Sequence, residues 1–307
     1  MRKTSQCLFI FGVLFMSFLF NSMGHAQDLE PLVLARAPVG MNFVLFGYGY
    51  SVGNVFLDNA LPIEDLEAKV HTLSVGYVRV FNFFGREAKL DVVVPFAYGF
   101  WEGLVNGEPA STERTGFGDP MARLSVNFLG SPALSGRDFL AHRPKFLLGG
   151  GLRIRAPLGQ YDDTKLINLG THRWMFKPSL AGSVRLGNLR VEANLNTWFF
   201  TTNSRFFNGN TLAQKPLFAL QLHVAFFFRP GLWAAVSAGR SDGGATVVNG
   251  EQKDNPQKNN RIGAVLSLPL AAQHSIKLAF TSGIITRYGA DFDTFAMVYQ
   301  YRWGGLK

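Results

Sequence analysis

The 307-residue chain carries 30 Lys and Arg against 21 Asp and Glu, yet charged residues make up only 17% of it and aromatics reach 14%. A soluble domain usually carries about 25% charged residues, so this composition is too apolar for an ordinary one. The single cysteine, Cys7, excludes a disulfide framework and a thiolate metal cluster.

In chain order the first element is a leader. Arg2 and Lys3 precede an apolar stretch from Leu8 to Phe20, and the small residues Gly24 and Ala26 flank His25. That layout predicts a Sec signal peptide over 1–26, cut after Ala26. A spanning anchor needs about 20 apolar residues, and this run is shorter. Cys7 leaves with the leader. Residues 27–40 read as a periplasmic N-terminal segment and 41–307 as the body. Beyond Ala26 no segment approaches the roughly 18 apolar residues of a spanning helix. A closed transmembrane antiparallel β-barrel resolves the conflict, because it satisfies every backbone group while alternating lipid-facing and lumen-facing side chains. The competing architecture is a large periplasmic β-sandwich.

Period-two alternation supports strands. In 189–200, Leu189, Val191, Ala193, Leu195, Thr197 and Phe199 oppose Arg190, Glu192, Asn194 and Asn196. In 217–229, Phe218, Leu220, Leu222, Val224, Phe226 and Phe228 oppose Gln221, His223 and Arg229. The last strand sets Phe295, Met297, Tyr299, Tyr301 and Trp303 against Thr294, Gln300 and Arg302. About twelve strands follow, near 41–51, 69–81, 87–101, 115–128, 144–157, 172–186, 188–201, 215–229, 231–241, 260–270, 273–284 and 291–303. The first two alternate poorly. An even number suits a bacterial single-chain barrel.

The connections give a second test. Long polar or Gly-rich stretches at 52–68, 102–114, 158–171, 202–214 and 242–259 alternate with tight turns such as Leu186-Gly187-Asn188 and Arg229-Pro230-Gly231. A barrel with both ends in the periplasm has this asymmetry. The exception is 130–143, long on the short side, which has room for a turn of helix. Tyr301, Trp303 and Phe228 are expected at the periplasmic membrane boundary, and Phe199 and Tyr98 at the outer one.

Three blocks carry a family resemblance: Gly116-Phe117-Gly118-Asp119-Pro120, Ala156-Pro157-Leu158-Gly159-Gln160-Tyr161-Asp162, and Asn168 through Pro178. Trp198 through Asn203, Gly289 through Thr294 and Tyr299 through Trp303 extend it over the mature chain. With these blocks the chain resembles the outer-membrane "transporter" family labelled putative MetA-pathway of phenol degradation. The resemblance implies a barrel in the bacterial outer membrane that passes hydrophobic or aromatic compounds. One departure is that Trp303 is followed by Gly304-Gly305-Leu306-Lys307, so the last residue is not aromatic.

Charge points to the lumen. The formal +9 falls by the two leader cations, Arg2 and Lys3, to +7. The basic residues fall on the polar face of the strands rather than in one cluster, which argues against a nucleic-acid partner. The registers assign Lys89, Arg123, Arg153, Arg155, Lys177, Arg185, Arg190, Arg229, Arg261, Lys277 and Arg302 to the lumen, against Asp91, Asp119 and Glu192. The candidate pore lining is Arg153, Arg155, Lys177, Arg190, Glu192, Asn194, Asn196, Lys277, Asp119 and Arg123. A wall of one sign concentrates ions of the other, and Arg/Lys rings are the usual device of anion pores. The alternative is that these groups pair internally and plug the barrel.

Catalytic patterns are weak, and no enzyme is expected. His274-Ser275 is the one close Ser–His pair, and neighbours in a strand point apart. Asp162-Asp163 and Asp291/Asp293 lack the ligand count of a calcium loop. Gly149-Gly150-Gly151 lies inside a strand with no following helix, so it serves close approach rather than phosphate binding. No cofactor or metal is implied. The expected partners are membrane lipid and lipopolysaccharide, the barrel-assembly machinery and a small-molecule cargo. The expected function is passive diffusion of small hydrophobic or aromatic, including anionic, compounds. A structural or adhesive barrel with a plugged lumen is the alternative.

Overall fold

A computed structural model describes residues 29–56 and 63–305. The predicted signal peptide lies outside the described residues. The first strands are β1 (Asn42–Phe56), β2 (Ile63–Phe83), β3 (Arg86–Val105), β4 (Glu108–Phe117) and β5 (Met121–Leu129). A one-and-a-half-turn helix, α1 (Gly136–Ala141), follows, then β6 (Phe146–Arg155), β7 (Met175–Leu186) and β8 (Leu189–Phe200). Short β9 (Asn203–Phe206) and β10 (Asn210–Gln214) precede β11 (Leu217–Arg229) and β12 (Leu232–Gly243). Short β13 (Thr246–Val248) and β14 (Glu251–Gln252) precede β15 (Gln257–Pro269), β16 (His274–Ile285) and β17 (Gly289–Trp303).

Each long strand pairs antiparallel with its neighbours, β1 pairs with β17, and the β2–β3 pair closes the circle. β4 and β5 both pair with β3 and form one stave interrupted at Gly118-Asp119-Pro120. Twelve staves therefore close a barrel; the stretches 52–68 and 102–114, predicted as loops, are largely strand among the described residues, because β1 to β4 extend past the alternating segments. The break has a local cause: Pro120 has no N–H for the ladder, and the Gly118 N–H turns to the Pro95 carbonyl at 3.0 Å. A single closed sheet excludes the sandwich.

The faces confirm the registers. Leu195, Leu220, Leu222, Val236 and Phe295 are about half exposed on the outside, whereas Glu192, Asn194, Gln221 and His223 are buried inside. Soluble folds do not present large apolar side chains around their whole girth. A lipid bilayer covers such a belt, and the closed ladder pairs the strands' backbone with their neighbours, as a segment in hydrocarbon requires. Tyr98, Phe199, Phe228 and Trp303 all point outward, as the belt assignment requires. β1 and β2 also alternate, with Val44, Phe46, Leu73 and Val75 outside. Their inner faces carry Phe43, Leu45 and Val78, which blurs the pattern in sequence.

The two ends differ. Tight turns at Phe84-Gly85, Gly187 and Gly231 close one end; Phe84 and Gly85 both take positive φ (48° and 80°), as a two-residue hairpin needs. α1 sits at this end, inside the long connection that broke the rule. At the other end β9, β10, β13 and β14 form a separate four-stranded sheet within stretches predicted as irregular loops. Those strands are two to five residues long, too short for periodicity to register.

Candidate functional site

Several charged residues that the alternation assigns to the lumen are buried on the inner face, while Arg229 is exposed beside the β11–β12 turn. Arg123, Arg153 and Lys177 are register neighbours across β5, β6 and β7, and all three are buried. One carboxylate serves them all: Glu30 lies 3.0 Å from Arg123 Nη1 and 3.5 Å from Lys177 Nζ, and pairs with Arg153. Arg123 also binds Asp91 at 3.1 Å. Nearer the tight-turn end, Lys89 lies 3.5 Å from Glu87 and donates to the Ala35 carbonyl. Buried charges are tolerated only when paired and hydrogen-bonded, and here the counter-charges come partly from outside the wall.

Residues 29–40 were expected in the periplasm, and the structure corrects this. They run inside the barrel. The Val33 N–H donates to Glu192 at 2.9 Å and the Ala37 N–H to Glu87 at 3.0 Å. Asn194 donates to the Glu30 carbonyl at 3.1 Å. The wall is shaped to receive the segment: a Cβ on Gly239 would meet Leu29 Cδ2 at 2.7 Å, and one on Gly149 would meet Leu34 Cδ2 at 2.6 Å. Gly149, the first of the three consecutive glycines, thus serves a close approach. Leu32, Ala35, Ala37 and Met41 join Phe43, Val78, Trp233 and Val265 of the wall in one apolar cluster. Removing that apolar surface from water contributes about 25 cal/mol per Å², so the segment is held by burial as well as by charge.

The predicted pore lining therefore divides. Arg123, Arg153 and Lys177 form one rung, with Glu192 and Asn194 holding the segment beside them; Asn196 is buried one step further along β8. Arg155 stands above the rung, 3.8 Å from Asp119. Arg190 is remote from it, opposite Arg185 at the tight-turn end. Lys277, on β16, lies over the Trp233 ring at 5.8 Å. These residues therefore do not line one continuous basic wall. Two partners went unrecognised in the sequence. Glu87 shares the parity of Lys89 and Asp91 and was detectable; Glu30 lay in a segment assigned elsewhere.

Asp119 also departs from expectation, for it organises a loop more than it lines a path. Its carboxylate accepts the Gly159 and Thr171 N–H groups, each at 2.9 Å, and the Thr171 hydroxyl at 2.7 Å. Tyr161 stacks on His172 at 4.9 Å and receives a hydrogen bond from Asn203 at 2.8 Å. The three blocks that carry the family resemblance thus meet around one carboxylate. In the same loop the Thr164 hydroxyl and Lys165 hold the Asp162 carboxyl down at about 2, and Asp163 pairs with Arg205 at 2.7 Å. Burial pushes the neighbouring Arg173 guanidinium down to about 9, aided by the nearby charge of Arg155. His274 turns outward to the Tyr299 hydroxyl at 2.6 Å while Ser275 is buried on the inner face, so the two point apart.

The barrel has solved counterparts. An outer membrane channel from Pseudomonas putida F1 is similar over 90% of this chain and 100% of its own, with a TM-score of 0.76 and 17% identity. The translocator domain of the autotransporter NalP from Neisseria meningitidis is similar over 88% of this chain and 91% of its own, with a TM-score of 0.51 and 11% identity. At these identities the likeness is one of fold. No curated protein matches the sequence. The family model described as "Putative MetA-pathway of phenol degradation" matches residues 51–296, well over half of the chain, and the chain belongs to that family.

Proposed function

We propose that the protein is a channel of the bacterial outer membrane that passes small aromatic or otherwise apolar-bodied compounds, including anions, by diffusion. The observation that carries this reading is a lipid-facing apolar exterior closed around an inner face rich in Arg, Lys, Asn and Gln. The similarity to a Pseudomonas putida outer membrane channel and the family's description support the same reading. Selectivity comes from the rung of Arg123, Arg153 and Lys177, whose charge Glu30 and Asp91 partly offset. Lipid and lipopolysaccharide surround the barrel, and assembly machinery inserts it.

A second reading has its own support. The N-terminal segment fills the tight-turn half of the lumen with apolar packing, which favours a plugged, structural or adhesive barrel. Planar-bilayer recording of the purified full-length barrel separates the two. The channel reading expects discrete current steps and an anion-preferring reversal potential in a salt gradient. A bilayer that stays silent with the full chain and with a chain lacking residues 27–38 refutes it.

A further inference from the structure

We infer that the periplasmic mouth carries a binding site for an amphipathic anion: a carboxylate on an aromatic body. A cavity of about 370 Å³ opens at the tight-turn end, between α1 and the β7–β8 and β11–β12 turns. Small-molecule sites of this kind usually run from about 300 to 1,000 Å³, mostly apolar with a few placed polar groups. Phe139 of α1 and Phe227 at the end of β11 supply the apolar walls, and Arg143, Arg185, Arg190 and Arg229 supply the charge. Among the described residues, no carboxylate lines the cavity.

The charge arrangement is costly without a ligand. Arg185 and Arg190 stand directly opposite in the β7–β8 register, and like charges directly opposite on a sheet destabilise it. Among the described residues, Arg143, Arg185 and Arg229 have no carboxylate within 4.0 Å. The nearby acids are already committed: Glu192 accepts the Val33 and Leu34 N–H groups, and Glu87 binds Ser131 at 2.6 Å and Arg36 at 3.9 Å. Arg36 enters the cavity from the N-terminal segment, stacked on the Phe139 ring at 4.7 Å. Arg36 Nη2 and Arg190 Nε are buried without an acceptor among the described residues. Guanidinium groups match a carboxylate in planar, bidentate geometry. A ring between Phe139 and Phe227 places its carboxylate among them. An anionic phospholipid reaching in from the inner leaflet presents the same chemistry.

The test is fluorine NMR of 4-fluorobenzoate titrated against the folded full-length barrel in zwitterionic micelles at low salt. It needs no conductance, so its outcome is independent of the channel reading. Saturable binding is expected. It should weaken at least tenfold in R143Q/R185Q and in the milder R229Q, each checked for folding by heat-modifiable electrophoretic migration, while neutral 4-fluorobenzyl alcohol shows none. Equal binding of the alcohol, or of benzoate to both variants and the unaltered barrel, overturns the site. Repeating the titration in nanodiscs with and without phosphatidylglycerol separates the sources: unchanged benzoate binding supports the soluble anion, and full displacement by the lipid overturns it in favour of a headgroup.

Discussion

Glu30→Gln removes the single carboxylate shared by Arg123, Arg153 and Lys177 while keeping the side chain's size. Breaking one partner of a buried ion pair typically costs about 3–5 kcal/mol. Here the barrel need not bear that cost, because the N-terminal segment can leave and let water reach the wall. The substitution therefore lowers occupancy of the lumen by the segment and bares one more positive charge on the rung. With Arg123, Arg153 and Lys177 against Glu30 and Asp91, the local balance rises from one net positive charge to two. At about 5 Å and a water-like dielectric a unit charge contributes roughly 0.8 kcal/mol, or about fourfold in relative anion permeability. Single-channel recording in a tenfold salt gradient reads both effects: larger conductance and a reversal potential shifted toward the anion limit. Raising the salt should shrink the selectivity shift, since screening acts beyond about 8–10 Å at physiological strength and closer above it. If Glu30→Gln leaves conductance and reversal potential as they are, Glu30 neither seats the segment nor offsets the rung.

Three further outcomes follow from the same geometry. Gly239→Val places a side chain where Leu29 sits, with no closer backbone obstacle than the Leu220 carbonyl at 3.7 Å; conductance should rise, and Leu29→Ala in the same chain should restore it. Replacing Arg153, Arg155 and Arg190 with Gln should move the reversal potential toward zero at low salt, with Arg153 carrying most of the change because Arg190 lies at the far end; an unchanged potential shows the wall to be purely structural. Leu222→Arg puts a charge on the middle of the lipid-facing belt, where about 2–4 kcal/mol is lost; urea titration in lipid vesicles should show that loss, and a Gln221→Arg comparison on the inner face should not match it.

The sequence alone determined the barrel, because its signal is local and repeats. A strand covered by lipid on one side and water or polar groups on the other must alternate, so Val191, Leu195 and Phe199 against Glu192, Asn194 and Asn196 is readable without knowing any partner. The strand count, and the facing of all but the first two strands, came from that rule. Only the tertiary structure decided what fills the lumen. Glu30 meets Arg123 across 93 positions and Lys177 across 147, and nothing local in 29–40 announces that it runs inside the barrel. Phe43 and Leu45 point inward because Leu32 and Ala35 pack there, which made β1 look irregular when read by itself. The same holds for Asp119, whose hydrogen bonds reach Gly159 and Thr171 across a broken stave. Periodicity records the solvent that a face meets; it carries no record of which distant residue meets it.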